Sequence, residues 1–408
     1  MSLWRNADFL RLWSAQTISQ VGTQVTFLAL PLAAIIVLDA SAFEVAVLGA
    51  VEWTPWILFS LPAGAWVDRL PRRPVLIATD LGRAAALVSI PLAYAADALT
   101  LGHLFAVAFL VGTLSVFFDV AYVAYLPSLV ERQQLAEGNA KLEASRSGAQ
   151  IAGPGLAGGL VELVTAPVAI LADAISFVVS AVLLGAVRGR EEVRARTDGT
   201  RLVTEIVEGV RFVLGHPYMR PSMASIAPGN FFWNLAFAVF LVYAVRTLGL
   251  SPATIGLVFT LGNIGVLAGA LLATRIADRI GIGPMIVASS FTVGWPLLLV
   301  PAAPAEYAVP IFVAAFTIAG FAGVAINVVG ISLFQATTPD RLQGRATASR
   351  RLVNFGVTPL GALAGGGLAS TIGLRETLWV GGVGATLSFL PLLFSPVRSL
   401  RELPEPVA

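Results

Sequence analysis

The chain has 408 residues, of which 57% are apolar and 12% are charged, and its mean hydropathy is +0.82. Because soluble proteins carry about 25% charged residues, this composition excludes a soluble globular protein and predicts an integral membrane protein. The net charge of +2 lies in short clusters, which gives no basis for nucleic-acid binding, and the absence of cysteine excludes disulfides and thiolate chemistry.

Apolar segments of about 20 residues, long enough to span a bilayer, recur almost to the end of the chain. The first apolar run follows Arg5 and Arg11 and continues to Val37, which predicts a first span and not a cleaved signal. The twelve predicted spans are 13–38, 44–67, 74–96, 103–127, 145–165, 167–187, 222–246, 253–275, 284–303, 307–335, 346–371 and 376–396. The sequence therefore predicts an all-α membrane protein with twelve transmembrane helices.

The distribution of basic residues predicts the orientation of the chain. If the N-terminus is cytoplasmic, only Arg246 and Arg375 of the 26 Lys and Arg residues fall outside, while Arg83 lies within a span. Because positive charge accumulates on the cytoplasmic side, we expect both termini to be cytoplasmic in a multi-pass cell-membrane protein.

A polar segment near mid-chain, 188–221, divides six predicted spans from six. Its apolar residues recur at helical spacing, at Leu202, Ile206, Val210 and Val213. This spacing predicts an amphipathic helix on the inner membrane surface, with a partner-binding helix of the calmodulin-target kind as the alternative. The predicted domains are an N-terminal bundle at 1–187, this linker, and a C-terminal bundle at 222–408.

The two halves resemble each other at an offset of 210 residues. The matching positions are Gln20 with Asn230, Gln24 with Asn234, Phe27 with Phe237, Asp68-Arg69 with Asp278-Arg279, and Pro74 with Pro284. Two parallel repeats of about six spans are the plan of transporters that bind their substrate between the halves. The repeat therefore predicts two pseudo-symmetric six-helix bundles.

The loop between the second and third spans carries an acid followed by three arginines. Its sequence is Gly64-Ala-Trp-Val-Asp68-Arg69-Leu-Pro-Arg72-Arg73-Pro. This loop resembles the signature loop of the major facilitator superfamily, although a proline stands where that family often has glycine. The resemblance implies a membrane transporter with the major facilitator fold.

The same resemblance implies a gating latch in this loop. Asp68 sits at the C-terminal end of its helix, where the dipole opposes a negative charge, so its carboxyl needs an external partner. In the family the matching acid contacts the other half and the arginines join a charge cluster that holds the inner side shut. Asp278 and Arg279 form a weaker copy. The alternative is that these arginines are ordinary positive-inside charges.

The fifth span is unusually rich in glycine. It reads Gly148-Ala-Gln-Ile-Ala-Gly153-Pro154-Gly155-Leu-Ala-Gly158-Gly159. Small residues let membrane helices approach closely, so generic helix packing is one interpretation. The segment also resembles the glycine-proline motif of the exporter branch of the superfamily.

Three further segments resemble the bacterial macrolide and siderophore (enterobactin-type) exporters more narrowly. They are Leu126-Pro-Ser-Leu-Val130, Gly138-Asn-Ala-Lys141 and Asp173-Ala-Ile-Ser-Phe177. With the signature loop, the resemblance covers nearly the whole chain. It implies proton-driven export of small amphipathic molecules such as drugs, secondary metabolites or siderophores.

Ionisable residues within spans are functional candidates because lipid disfavours charge, and those identified all lie in the first half. Glu52, near mid-depth, is the first choice for proton coupling, and Asp119 and Asp173 are further candidates. A hydrogen-bonded structural carboxyl is the alternative for Glu52. Asp80 and Arg83, three residues apart, are expected to form a structural pair. Proton-coupled members of the family often carry an arginine in the fourth span, which here has Asp119 and no arginine.

Polar side chains line one face of the first span, and the seventh span repeats the pattern. Amides in lipid need partners, so these faces are expected to line a cavity that suits a bulky amphipathic ligand, with interhelical hydrogen bonding as the alternative. The predicted cavity residues are Gln20, Gln24, Phe27, Trp53, Trp56, Asn230, Trp233, Asn234 and Asn263.

No ATP-binding G-x-x-x-x-G-K-[ST] loop and no recognisable hydrolase motif is present in the sequence. We therefore expect no enzyme activity, no cofactor and no metal. The expected partners are a small-molecule substrate, protons and the lipid bilayer, with no nucleic acid and no obligate protein partner. Two alternatives remain: an importer or uncoupled facilitator of a metabolite, and a non-transporting membrane sensor.

Overall fold

The computed structural model describes residues 3–67, 69–188 and 211–404, and twelve long helices run through these ranges. In the first half they are α1 (Ala7–Leu32), α2 (Ala42–Val67), α3 (Arg72–Ala95), α4 (Leu101–Leu129), α5 (Leu135–Val164) and α6 (Ala166–Gly185). In the second half they are α7 (Met219–Val242), α8 (Pro252–Ile280), α9 (Ile282–Gly294), α10 (Ala308–Thr337), α11 (Asp340–Ile372) and α12 (Leu374–Leu387). Ten predicted spans lie mainly on one of these helices. The spans 284–303 and 376–396 continue from α9 and α12 into shorter helical segments, Trp295–Leu298 and Leu299–Ala302 after α9 and Leu390–Leu393 after α12. The predicted fold class is confirmed.

Ten segments qualify as membrane spans by length and composition within the described ranges. Helices α9 and α12 qualify only together with the short helical segments that follow them, as Ile282–Ala302 and Leu374–Leu393. The other two, α5 and α11, have 30 and 33 residues, but their glycine, polar and charged residues dilute the hydropathy. The chain is thus a multi-pass membrane protein.

Two helices begin well before the predicted spans. Helix α1 begins at Ala7 because the Asn6 side chain accepts hydrogen bonds from the backbone nitrogens of Asp8 (3.0 Å) and Phe9 (3.1 Å), which caps the helix. Helix α5 begins at Leu135, instead of residue 145, with a polar extension that carries a Glu137–Lys141 ion pair. Counting apolar residues cannot detect such polar first turns.

The internal repeat has a detailed structural counterpart after α1 and α7. Both helices end in a π-helical turn, at Ala33–Val37 and at Tyr243–Thr247, which are 210 residues apart. A residue with positive φ follows each turn, Asp39 (49°) in the first half and Gly249 (64°) in the second. The two halves therefore share turn geometry as well as helix count.

The structure divides into two compact units. The first unit comprises Met1–Thr197 and Leu250–Thr260, and the second unit comprises Asp198–Gly249 and Leu261–Ala408. In the first unit a core cluster includes Leu12, Leu76 and Tyr125. In the second unit a core cluster includes Met285 and Leu392. The domain limits set from the sequence stay a prediction.

The amphipathic linker helix falls mostly outside the described residues. Leu202, Ile206 and Val210 belong to the part that the structure does not describe. Residues 211–215 are helical, and Val213 is buried there in a small cluster with Met219, Met223 and Phe334.

Candidate functional site

A buried ion pair lies inside the first unit. Asp80 and Arg83, on one face of α3, form an ion pair, which confirms the predicted pairing. The guanidinium carbon of Arg83 lies 4.3 Å from the ring centre of Phe118 and 4.1 Å from that of Phe177, so the cation is held between two aromatic faces. The Arg83 guanidinium also lies 3.4 Å from the Ser115 hydroxyl oxygen.

Two more carboxyl groups surround this arginine. Asp173 of α6 is 1% exposed and accepts hydrogen bonds from the hydroxyls of Thr26 (2.5 Å) and Ser176 (3.1 Å), while Arg83 acts on it electrostatically. Asp119 of α4 is exposed on the first unit, within electrostatic reach of Arg83 and Arg146. We call Asp80, Arg83, Asp119 and Asp173 the Arg83 cluster. Arg83 is thus paired directly with Asp80 and interacts electrostatically with Asp119 and Asp173.

Glu52 does not belong to the Arg83 cluster. It is half-buried on α2, and its backbone carbonyl oxygen packs so closely on Gly112 of α4 that a Cβ there would lie 2.6 Å away. Gly112 precedes Phe118 by six residues, which is about 9 Å along the helix. Among the described residues, the Glu52 carboxyl has no hydrogen-bond or ion-pair partner. Trp53 and Trp56 lie beside it with ring centres 6.4 Å apart.

The predicted cavity residues of α1 have different surroundings. Gln20 lines a cavity of about 450 Å³ in the first unit, together with Tyr122, Asn139 and Arg146. Gln24 instead packs against Gly153 of α5. Phe27 and Trp53 are 43% and 36% exposed, and Trp56 is half-buried. Of the cavity residues predicted in the first half, only Gln20 lines this cavity.

In the second half, Asn230 is the predicted residue that lines a cavity. This cavity, of about 250 Å³, lies within the second unit. The Asn230 amide donates a hydrogen bond to the Asn354 side-chain oxygen, and the Asn234 amide donates to the Asn230 backbone oxygen (2.8 Å). Trp233, Asn234 and Asn263 are half-buried and do not line it.

Sequence reasoning missed Arg350 and Asn354, which line the same cavity. All intramembrane ionisable groups were assigned to the first half, but Arg350 lies inside α11, ten residues after its first residue. The signal was available, because Arg350 falls within the predicted span 346–371, where a charged residue is a functional candidate.

Part of the predicted latch can be described. Asp68 lies outside the described residues. Gly64 faces open space in α2, Arg69 is exposed, and Arg72 begins α3. Arg73 donates hydrogen bonds to the backbone oxygens of Leu184 (2.9 Å) and Gly185, so it satisfies carbonyl groups at the end of α6.

The second copy of the latch lies at the end of α8. Asp278 and Arg279 are exposed there. Gly281 follows with φ +95° and contacts Arg401, whose guanidinium donates to the Ile280 backbone oxygen (3.4 Å). The C-terminal segment therefore packs against this turn.

The glycine-rich segment of α5 packs closely within the first unit. A Cβ at Gly158 would lie 2.3 Å from the Pro252 backbone oxygen and 3.0 Å from the Gly256 Cα, in the first turns of α8. Gly153 meets Gln24 of α1, and Pro154 is buried beside it. A Cβ at Gly148 or Gly159 would meet no atom within 4 Å. Gly153 and Gly158 therefore allow close helix packing, whereas Gly148 and Gly159 have no close neighbour.

The helix bundles have a fold that is also found in solved membrane transporters. The fold is similar to that of a bacterial homologue of the iron transporter ferroportin, solved in an inward-facing state (TM-score 0.75, 18% identity, covering 96% of this chain and 99% of that one). It is also similar to the nucleoside transporter NupG (TM-score 0.71, 11% identity, covering 95% and 98%).

Residues 1–405 match the transmembrane secretion effector family, and the chain belongs to this family. It is 26% identical to the multidrug efflux pump Tap of Mycolicibacterium fortuitum over 413 residues, which covers 98% of this chain and 97% of that protein. It is 22% identical to the uncharacterized MFS-type transporter YvqJ of Bacillus subtilis, covering 86% and 84%. The predicted recognition of a major facilitator transporter is confirmed.

Proposed function

We propose that the protein exports small amphipathic molecules in exchange for protons by alternating access. The observation that carries this proposal is the Arg83 cluster, where Arg83 is paired with Asp80 and interacts electrostatically with Asp119 and Asp173. The multidrug efflux pumps among its relatives support the outward direction of transport and drugs as substrates. Cytoplasmic termini, expected from the distribution of basic residues, belong to the same proposal.

The charge balance of the first unit supports the use of protons. Away from the helix ends, the described parts of α1, α2, α3, α4 and α6 contain four carboxyl groups and one guanidinium, that of Arg83, and in α5 the charge of Arg146 is balanced by its ion pair with Glu143. The carboxyl groups are those of Glu52, Asp80, Asp119 and Asp173. Uncompensated charge in a low-dielectric interior is costly, and proton binding by the carboxyl groups removes it.

The Arg83 cluster also offers a physical route for coupling. The family often carries an arginine in the fourth span, and here Arg83 of α3 lies over Phe118, the α4 residue before Asp119. The single positive charge of Arg83 can neutralise only one carboxylate at a time. A proton that arrives at the exposed Asp119 therefore changes how strongly Arg83 is attracted to Asp80 and Asp173. Such a redistribution of buried charge biases the packing of α3, α4 and α6.

The test is made in a pump-deficient bacterium that expresses the protein. We expect tolerance to at least some members of a panel of antibiotics and dyes, and we expect a protonophore to abolish it. Asp119→Asn is expected to remove the tolerance at normal membrane abundance, whereas Glu306→Gln, at an exposed acid between α9 and α10, leaves it unchanged. Tolerance that persists with the protonophore contradicts proton coupling.

A second assay, in liposomes, compares the three coupling candidates. The Asp119→Asn, Glu52→Gln and Asp173→Asn variants are each purified and reconstituted, and substrate-driven proton release is followed with an internal pH dye. The residue whose neutral variant still moves substrate down its gradient, without proton release, carries the coupling. If all three neutral variants release protons normally, none of these acids is the coupling group.

The latch is a separate part of the proposal. Asp68 and Arg69 are proposed to bias which side of the transporter is open, with Asp278 and Arg279 as the weaker copy. We expect Asp68→Asn to abolish transport while the protein remains folded and inserted. Normal transport by this variant contradicts the latch.

A further inference from the structure

A polar cavity lies in the first unit, lined by α1, α4 and α5. Its volume of about 450 Å³ lies within the range of about 300–1,000 Å³ that ligand sites typically have. It equals the volume of about fifteen water molecules at about 30 Å³ each, which is enough for a sugar ring with part of an attached group. Seven of the nine described residues that line it have polar or charged side chains. We call it the Gln20 cavity.

The polar extension of α5 forms one wall of the Gln20 cavity. Asn139 and Arg146, both exposed, line it from this helix, and seven residues make two helical turns, so they lie on the same side of α5. Gln16 and Gln20 line it from one face of α1, within the first predicted span. The cavity therefore extends from the polar end of the unit into the membrane-spanning part. In the proposed orientation this end is cytoplasmic, which is the side from which an exporter takes its substrate.

The neutral polar side chains of the Gln20 cavity lack partners. Gln16 is 6% exposed, and its side-chain amide has no hydrogen-bond partner among the described residues. Buried polar groups are nearly always hydrogen-bonded, so such a group needs water or a ligand. Within the same described ranges, four further lining side chains form no hydrogen bond, those of Gln20, Tyr122, Asn139 and Ser145.

These five side chains can both donate and accept hydrogen bonds. Each amide has two donor hydrogens and an acceptor oxygen, and each hydroxyl donates once and also accepts. A carboxylate ligand only accepts and an ammonium ligand only donates, so either one would leave many of these groups unpaired. Hydroxyl groups donate and accept at the same atom. Adjacent hydroxyl groups, as in a sugar or another polyol, therefore match this lining.

The two charged residues of the Gln20 cavity compensate each other. The Arg146 guanidinium donates two hydrogen bonds to the Glu143 carboxylate, from Nε to Oε2 (2.9 Å) and from Nη2 to Oε1 (2.6 Å). Both side chains are at least 50% exposed, so water solvates this ion pair. The cavity therefore offers no unpaired charge that would favour an ionic ligand over a neutral one.

Tyr122 connects the Gln20 cavity to the Arg83 cluster. Its ring stacks on Phe118 with 6.2 Å between ring centres and 11° between planes, and Phe118 contacts Arg83. Asp119 acts electrostatically on Tyr122 and interacts in the same way with Arg146. A ligand in this cavity thus binds next to the exposed acid of the proposed proton-coupling group.

We propose that the Gln20 cavity binds the uncharged, hydroxyl-rich part of a substrate, such as a sugar ring attached to an apolar group. The amides of Gln16, Gln20 and Asn139 and the hydroxyls of Tyr122 and Ser145 exchange hydrogen bonds with the ligand hydroxyl groups. The identification of this ligand as exported cargo rests on the proposed function, whereas its binding does not. The substrate class is that of glycosylated or polyhydroxylated amphipathic molecules.

The test measures binding to the purified full-length protein in nanodiscs of phosphatidylcholine, without any gradient. Two probes share a phenoxy group on the same six-membered ring: phenyl glucoside carries the sugar hydroxyl groups, and phenoxytetrahydropyran lacks them. Calorimetry is expected to give at least tenfold tighter binding of phenyl glucoside, about 1.4 kcal/mol. The reason is that a site built from hydrogen-bonding groups rejects an analogue that leaves them unpaired.

Two variants remove amides from the cavity. Gln16→Leu and Gln20→Leu are each expected to weaken phenyl glucoside binding at least tenfold. Gln133→Leu is the control, because Gln133 is exposed and does not line the cavity, and it should leave binding unchanged. Unfolding midpoints of the three variants, followed by tryptophan fluorescence, separate a loss of binding from a loss of folding.

A second pair of variants fills space without removing a polar group. Ala140 lines the cavity, whereas Ala144, one turn further along α5, does not, and both are exposed. Ala140→Phe is expected to weaken phenyl glucoside binding at least tenfold, and Ala144→Phe to leave it unchanged. Equal affinity of the wild type for the two probes overturns the proposal, and so does glucoside binding that persists in both Gln16→Leu and Ala140→Phe.

A glycolipid headgroup is a second source of the same hydroxyl chemistry. Binding of phenyl glucoside is therefore repeated in nanodiscs that contain glucosyl diacylglycerol. Unchanged binding supports a cargo site, whereas loss of binding marks a lipid site and overturns the cargo assignment.

These outcomes are separate from those of the proposed function. Protonophore-insensitive tolerance contradicts proton-driven export but leaves Gln16-dependent binding in nanodiscs intact. Proton-dependent export with equal binding of the two probes contradicts only the assignment of the Gln20 cavity.

Discussion

The close contact at Gly158 predicts a strong difference between two neighbouring alanine substitutions. In Gly158→Ala the new methyl group would lie 2.3 Å from the Pro252 backbone oxygen, whereas ordinary contact begins at 3.4 Å, so α5 and the start of α8 must separate by about 1 Å. In Gly159→Ala the methyl group meets no atom within 4 Å. Both substitutions replace glycine by alanine within a helix, and the higher helix propensity of alanine stabilises each variant by about 1 kcal/mol.

The difference between the two variants therefore measures the overpacking alone. Overpacking of this kind costs about 1–3 kcal/mol, and Gly158→Ala should be less stable than Gly159→Ala by that amount. Thermal unfolding of both purified variants in one detergent, followed by tryptophan fluorescence, gives the order. Equal unfolding midpoints would refute the close contact between α5 and α8. Export assays on the same variants show whether the contact also matters for transport.

Three further predictions concern backbone strain and buried polar groups. Thr165 joins α5 to α6 with φ 84° and ψ 155°. This backbone conformation costs a residue with a side chain about 1–3 kcal/mol, so Thr165→Gly should raise the unfolding midpoint. A lower midpoint contradicts the strained turn. Arg73→Gln removes the hydrogen-bond donors of backbone carbonyl groups at the end of α6, and it should lower the free energy of unfolding by about 1–3 kcal/mol. Arg69→Gln, at an exposed position, is the control and should change the stability little. Asp80→Asn removes the negative charge that is paired with Arg83 and should destabilise the protein by several kcal/mol. Asp278→Asn, at an exposed position, should have a much smaller effect. Equal unfolding midpoints for these two variants contradict a buried ion pair.

Features that depend on short stretches of sequence were predictable. The twelve spans follow from hydropathy, and the Asp80–Arg83 pair follows from their spacing on a helix. The repeat at an offset of 210 followed from a few polar and proline positions, and the two π-helical turns support it at positions outside those sequence matches.

Features that depend on contacts between distant helices were not predictable. That Arg83 lies between Phe118 and Phe177 requires the packing of α3, α4 and α6, which no spacing along the chain encodes. Gln24 and Gln20 lie one helical turn apart, yet one packs against a glycine and the other lines a cavity. Arg350 was overlooked because the apolar remainder of the predicted span 346–371 outweighs the two arginines near its start, Arg350 and Arg351.

The matched π-helical turns at the ends of α1 and α7 carry information about how the chain arose. A π-helical turn is rare, and here it recurs at the equivalent point of both halves. Duplication of an ancestral six-helix gene that already contained this turn accounts for both copies. The intramembrane carboxylates of the Arg83 cluster in one copy and Arg350 in the other then record how the copies diverged after their shared origin.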